Sequence, residues 1–229
     1  MDILVINPNS TASMTSSIEV AAKEAASEGT NIVATNPING PKSIQGPEDG
    51  KAALPGLFGV FDKQSNAHDA VIIACFDDTG LMKLRSRTDR PVIGIGEAAF
   101  QIAMLMGLKF SVVTTLDVSI PVIEENLKDY GFGKRCVKVR ASGIPVLDLE
   151  ADDGAVKKTL RDEIARAFDE DDIDSVVLGC AGMAKMAQEL TQEFGKPVID
   201  GVQAAVQLCE ITQHHSVRSR STSPLESAS

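Results

Sequence analysis

Short runs of consecutive apolar residues alternate along the chain with longer stretches in which apolar positions recur every three or four residues. The first pattern, rich in Val and Ile, marks strands buried on both faces, and the second marks amphipathic helices. ILVI at 3–6 predicts a first strand. Met14, Ile18, Ala21, Ala22 and Ala25 predict a helix over 10–27, with Asn9 or Ser10 as its cap. Further strands are predicted at 31–35, 70–74, 91–95, 110–114, 137–141, 175–178 and 197–199. Further helices are predicted at 52–66, 97–106, 121–130, 154–169, 183–194 and 201–212. The Pro-, Gly- and Asn-rich stretch 36–50 is predicted to be loop. Buried strands alternating with helices predict an α/β fold built on parallel sheets. Ligands bind at the carboxyl ends of the strands in such sheets, so the residues just after each strand are the ones to inspect.

The pattern also repeats. DAVIIAC at 69–75 matches DSVVLGC at 174–180, RPVI at 90–93 matches KPVI at 196–199, and the strand at 3–6 corresponds to that at 110–113. Three segments in the same order at a nearly constant offset predict a duplicated unit. Halves related by a pseudo-twofold set equivalent residues opposite each other across the cleft between them. Cys75 and Cys180 are such a pair, and each closes a buried strand. Cys136 and Cys209 have no such placement and are expected to be small buried apolar residues.

Two opposed thiols suit proton transfer at a carbon next to a carbonyl. A thiolate removes the proton from one face, and a thiol returns one from the other. The roles exchange for the opposite enantiomer. This needs one ionised and one protonated cysteine, whereas an unperturbed thiol with a pKa of about 8.5 is only slightly ionised at neutral pH. The amino ends of the following helices are expected to lower it. The enolate intermediate needs donors. Backbone N–H groups over 7–11, 76–80 and 181–183 are candidates, with the side chains of Asn9, Thr114 and Thr115 beside them.

Composition narrows the partners. The 229 residues carry a formal net charge of −10, which disfavours nucleic acid. No apolar run is long enough to span a bilayer. The first residues do not read as a signal peptide, and the expected compartment is the cytoplasm, where thiols stay reduced. The four cysteines form no CxxC pair, and two of the three histidines fall beyond residue 213, so no metal site is expected.

INPNSTASMT at the start, ACFDDTGL around Cys75, PVIGIGEAAF, FSVVTT and VLGCAGM around Cys180 together resemble the hydantoin and allantoin racemases of the aspartate/glutamate racemase superfamily. The resemblance runs from residue 1 to about 209. It implies two Rossmann-like halves, 1–95 with 200–212 and 96–199, with the active site in the cleft between them. It implies interconversion of D- and L-5-monosubstituted hydantoins, or of allantoin, without a cofactor, by a homo-oligomer. Cys75 and Cys180 carry over as the acid/base pair. Asn9, Phe76, Asp77, Thr114, Thr115, Ala181 and Gly182 carry over as substrate contacts, as does Gln45, placed by the neighbouring SIQG. The same superfamily offers amino-acid racemisation, maleate isomerisation and arylmalonate decarboxylation as alternatives. A non-catalytic small-molecule binding protein is a reading from another class. The chain departs from the family after Cys209, where 213–229 has the composition of a disordered tail.

Overall fold

The Val- and Ile-rich runs form eight parallel strands in two sheets, as seen in a computed structural model that describes residues 1–151 and 154–213. The first half contains β1 (Asp2–Ile6), α1 (Ala12–Ala25), β2 (Asn31–Thr35), α2 (Pro47–Gln64), β3 (Ala70–Ile73), α3 (Leu81–Arg85), β4 (Val92–Gly94) and α4 (Ile95–Met106). The second contains β5 (Phe110–Thr114), α5 (Ile120–Asp129), β6 (Cys136–Ala141), α6 (Gly154–Glu170), β7 (Ser175–Leu178), α7 (Ala187–Phe194), β8 (Val198–Asp200) and α8 (Gly201–Thr212). The sheet orders are β2-β1-β3-β4 and β6-β5-β7-β8. Matching β1 with β5, β2 with β6, β3 with β7 and β4 with β8 superposes one order on the other, so the repeat in the sequence is a repeat in topology.

The two sheets share a core because the helices that end each half cross over. Phe100 of α4 stacks on Phe110 of β5, with ring centroids 5.8 Å apart, and meets the edge of Phe76 at 5.5 Å. Glu210 of α8 accepts hydrogen bonds from the backbone N–H of Ser27 and the hydroxyls of Ser27 and Thr30 in the first half. The two helices start against each other. A Cβ at Gly201 would lie 2.4 Å from the Ile95 carbonyl oxygen, so the residue that opens α8 has to be glycine. One continuous apolar cluster therefore contains Ile3 and Ile72 of the first sheet and Val112 and Val177 of the second.

Several boundaries differ from the sequence expectation for local reasons. The cap of α1 is Thr11, without a side-chain cap bond, because Asn9 and Ser10 are engaged elsewhere. Helix α2 starts at Pro47, inside the stretch expected to be loop. Proline needs no N–H partner at a first helical turn, and Glu48 and Asp49 suit the positive end of the helix. The stretch from 183 begins as a 3-10 turn over Ala181–Met186 and becomes α-helical at Ala187. The short helix α3 has no periodic signature. Apart from Gln213, the tail expected over 213–229 lies outside the described residues.

Charge is buried on the edge strand β6. Arg140 is 5% exposed and forks onto Asp171, with its Nε 2.7 Å from Oδ2, and its other nitrogens reach Glu163 and Glu170. Asp171 also accepts from the Ser111 hydroxyl at 2.8 Å. Removing the cation strands a buried carboxylate, which typically costs about 3–5 kcal/mol. Arg140→Met is therefore expected to lower the unfolding free energy by about that amount in urea titration, with no change in the slope of the transition. An unaltered midpoint would show that the pair contributes nothing.

Candidate functional site

Each half presents its functional residues at the carboxyl ends of its two central strands. Ile6 pairs with Ile73 and Val113 with Leu178, so the chain leaving β1 runs beside the chain leaving β3, and likewise for β5 and β7. Cys75 stands two residues past β3, and Cys180 two residues past β7. The two cysteines, with Asn9, Phe76, Asp77, Thr115 and Ala181, line one cavity of about 30 Å³. That is room for one or two water molecules, not for a five-membered ring. Met14, Ile44 and Val146 form its apolar cover, and its wall contains no Lys, Arg or His. A larger cavity of about 520 Å³, with Leu54, Met82 and Val122 in its wall, lies on the other side of Asp77, which lines both.

Three residues expected in the site do not line the cavity. The Thr114 hydroxyl donates to the Gly179 carbonyl at 3.1 Å. That contact is possible because residue 179 has no side chain: a Cβ there would lie 2.8 Å from the Thr114 Cα. The Gln45 side-chain oxygen accepts from the Val146 N–H at 2.9 Å, which ties the loop before α2 to the second half. Gly182 lies behind Cys180 and turns its backbone N–H to the thiol. The Phe76 ring packs edge-on against Phe100.

Other residues, whose side chains were not expected to contact substrate, also join the site. Asn7 lines the cavity and organises its floor: its side-chain nitrogen donates to Asn9 Oδ1 at 2.9 Å and to Thr15 Oγ1 at 3.0 Å. Asn9 Oδ1 also accepts from the Thr11 N–H at 2.9 Å, so Asn9 shapes the turn into α1 rather than capping it. Asn7 directly follows β1 and was open to discovery by the same post-strand rule that found the cysteines. Ser119, Ile44 and Val146 lie in turns and a loop with no periodic signal.

Burial dominates the electrostatics. It pushes the Cys180 thiol up to about 12, against a lowering hydrogen bond from the Gly182 N–H. It pushes Cys75 higher still, with the charge of Asp77 adding to the rise and the Thr79 hydroxyl, 3.4 Å from the sulfur, opposing it. The expected lowering by helix amino ends is not met: the N–H groups that act on the thiols are those of Asp77, in the loop before α3, and Gly182, in a 3-10 turn, and desolvation outweighs them and raises both thiols. Burial also raises the carboxyl of Asp77 to about 7. Asp78 reaches about 7 for the same reason, although the Glu97 and Gly96 N–H groups and the Tyr130 hydroxyl donate to it. Its carboxylate occupies the space left free by Gly94 and Gly96, where any Cβ would collide with it. The GIG segment thus exists to receive Asp78, which holds the Cys75 loop against the start of α4.

Among the described residues no three His, Cys, Asp or Glu side chains converge as a metal site would require. No helix among them is long and apolar enough to cross a membrane.

Residues 3–209 match the family described as Asp/Glu/Hydantoin racemase. The chain is 44% identical over 211 residues to the hydantoin racemase of Rhizobium meliloti, covering 92% of this chain and 88% of that one. Among solved structures, the allantoin racemase from Klebsiella pneumoniae matches with a TM-score of 0.91 and 39% identity, over 95% of this chain and 89% of that one. The allantoin racemase from Pseudomonas fluorescens matches with a TM-score of 0.90 and 38% identity, over 96% and 95% of the two chains. Two thiols from duplicated half-sheets, sharing one cavity in a chain so similar over its length to these proteins, place it in the Asp/Glu/hydantoin racemase family.

Proposed function

We propose that the chain is a cofactor-independent racemase of 5-monosubstituted hydantoins, allantoin included, that moves the C5 proton between Cys75 and Cys180 through an enolate. The observation that carries this reading is the delivery of two equivalent thiols, one from each sheet, to the wall of a single small cavity. One thiolate removes the proton as the other thiol supplies one from the opposite face, which inverts the carbon without any group leaving. Asn9, Thr115 and the N–H of Ala181 are the donors for the ring carbonyls, the Gly182 N–H serves the Cys180 thiol, and Thr114 fixes the strand end that carries Cys180. The outer cavity beyond Asp77 gives the 5-substituent a place outside the inner one.

The wall favours a ring over an amino acid. Aspartate or glutamate would bring a carboxylate to the reacting carbon, and no cation lines the cavity to receive it. We further propose a division into lobes 1–95 with 200–212 and 96–199, hinged where α4 and α8 begin, with the protein acting in the cytoplasm as a homo-oligomer.

The test is polarimetry on single enantiomers of a hydantoin panel with allantoin, run in D2O. Loss of rotation without change of composition, with deuterium entering C5, is the expected result. Cys75→Ser and Cys180→Ser should each slow racemisation by at least about 10²-fold, the ordinary worth of a positioned acid or base. Each variant keeps one base on one face, so residual exchange should be confined to one enantiomer, opposite in the two. Near-normal racemisation by both variants would sink the two-thiol mechanism.

The inner cavity must widen to admit a ring, and the Gln45–Val146 hydrogen bond spans the two halves over it. Gln45→Ala is expected to raise the rate at which iodoacetamide labels Cys75 and Cys180 several-fold, without lowering the thermal midpoint by more than a few degrees. Labelling at an unchanged rate would mean that this contact does not control access.

A further inference from the structure

Asp77 is the one ionisable group besides the thiols in the wall of the inner cavity, and the mechanism above gives it nothing to do. Its main chain is fixed: the carbonyl oxygen accepts from the Asn126 side chain of α5 at 2.9 Å. The residue lines both the inner and the outer cavity. Its charge acts on both cysteines and outweighs that of any other charged group on each. The charged residues that share the outer cavity with it from other elements are Lys51 of α2, Lys83 of α3, and Glu125 and Asp129 of α5, with Asp78 beside it in the chain. None of them sets its ionisation, which follows from burial alone.

We infer that Asp77 works as a neutral carboxylic acid in the reaction: it takes the proton that one thiol gives up, and offers it as a hydrogen bond to the ring oxygen on which enolate charge develops. This rests on the racemase reading above. The site carries one negative charge throughout. At rest the charge is on the Asp77 carboxylate and both cysteines are thiols. With the ring bound, a proton passes from one thiol to that carboxylate, leaving a thiolate and a carboxylic acid. The thiolate then takes the C5 proton. The C–H electron pair spreads onto the carbonyl oxygen, which accepts from Asp77, and the other thiol protonates C5 from the far side. The thiolate ends on the second cysteine, Asp77 is still protonated, and no co-reactant is consumed. A charge borne by Asp77 and a thiolate together is what the cationless wall resists.

The sign of the pH dependence follows. Burial holds Asp77 at about 7. Below that, the site is uncharged and a thiolate forms only by losing a proton to solvent, so kcat/KM should climb about tenfold per pH unit. Above it, the single charge is already present on Asp77 and reaches a thiol only by internal proton transfer, which does not depend on pH, so the rate should level off.

Two variants test this, with racemisation and iodoacetamide labelling of the thiols followed from pH 5.5 to 9. Asp77→Asn keeps a donor but cannot hold the charge. It should racemise within several-fold of the parent at pH 6.5, and go on gaining rate past pH 7. Its thiols should label about tenfold faster than the parent's at pH 8.5, as one or more pKa units of relief would give. Asp77→Ala has no donor. It should lose about 10²-fold in kcat/KM, the usual cost of one oxyanion donor, while its thiols label at least as fast as the parent's. A collapse of structure would give the same divergence in Asp77→Ala, so the thermal midpoint of each variant is read alongside, and near-parental racemisation by Asp77→Asn at pH 6.5 shows that the fold survives loss of the carboxylate. Parent-like racemisation by Asp77→Ala, or a labelling profile in Asp77→Asn that still levels near pH 7, overturns the inference. If the parent racemised no hydantoin, the function proposed above would fail, while the labelling profiles would still decide whether Asp77 shares the charge of the site.

Discussion

A dry cavity without a cation can hold one negative charge and not two. At an effective dielectric of about 20, two like charges about 4 Å apart repel by about 4 kcal/mol, roughly a thousandfold in population. In this protein the wall offers three groups that could ionise, Cys75, Cys180 and Asp77, and no Lys, Arg or His to offset them. Burial pushes all three upward, the carboxyl to about 7 and Cys180 to about 12. The order in which they ionise is therefore fixed by their surroundings more than by their chemical type. The protein has removed the easiest way to stabilise a thiolate, a neighbouring cation. What remains is the set of backbone N–H groups at Asp77 and Gly182, the Thr79 hydroxyl and the proton inventory of the carboxyl.

The fold is what makes such a cavity possible. A single doubly wound sheet has one set of strand ends. Duplication supplies two, and the exchange of α4 and α8 across the halves brings them together with a common core behind them. Close approach is needed at several places, and glycine stands at each. Gly179 admits Thr114, Gly201 admits the Ile95 carbonyl, and Gly94 and Gly96 leave space for the Asp78 carboxylate. Asp78 itself adopts a left-handed conformation, with φ of 49°, which few residues other than Gly, Asn and Asp tolerate. It spends its oxygens on the N–H groups of Gly96 and Glu97 and on the Tyr130 hydroxyl. The adjacent residues thus divide the work: Asp78 spends its carboxylate on holding the loop, and Asp77 lines the cavity.

The division between what was and was not legible in the sequence follows from the range of the forces involved. The strands could be read because burial on both faces leaves a continuous apolar run. The paired cysteines could be read because duplication copies residues as well as topology. Asn7 obeys the same rule of position, one residue past β1. Gln45, Thr114 and Gly182 were placed in the site by motif, yet each turns its polar group to a protein partner that only the tertiary structure supplies: Val146, Gly179 and Cys180. Ser119, Ile44 and Val146 reach the cavity from turns and a loop whose course depends on packing between halves. No periodicity encodes that. The start of α2 at Pro47 was hidden because a run rich in Pro and Gly signals loop until the flanking geometry shows the proline at a helix's first turn.

Duplication made the two thiols equivalent in position, and divergence has since made their surroundings unequal. Cys75 is followed by Phe-Asp-Asp and Cys180 by Ala-Gly-Met. The first half therefore owns the carboxyl. Asp77 ranks directly after burial among the causes that raise Cys75, whereas at Cys180 the Gly182 N–H ranks ahead of it and Glu150 and Asp200 add smaller repulsions. Cys75 is accordingly pushed further from ionisation than Cys180. A proton arriving at Asp77 relieves Cys75 more than its partner, so the position of one proton biases which thiol carries the negative charge. A racemase needs both assignments, one for each enantiomer, and it needs to pass between them without charging the cavity twice. A strictly symmetric pair of thiols would have nowhere to keep the charge between turnovers except on one of themselves. With the carboxyl on one side only, the resting charge has a site of its own, and either thiol can be called on when a ring enters between them.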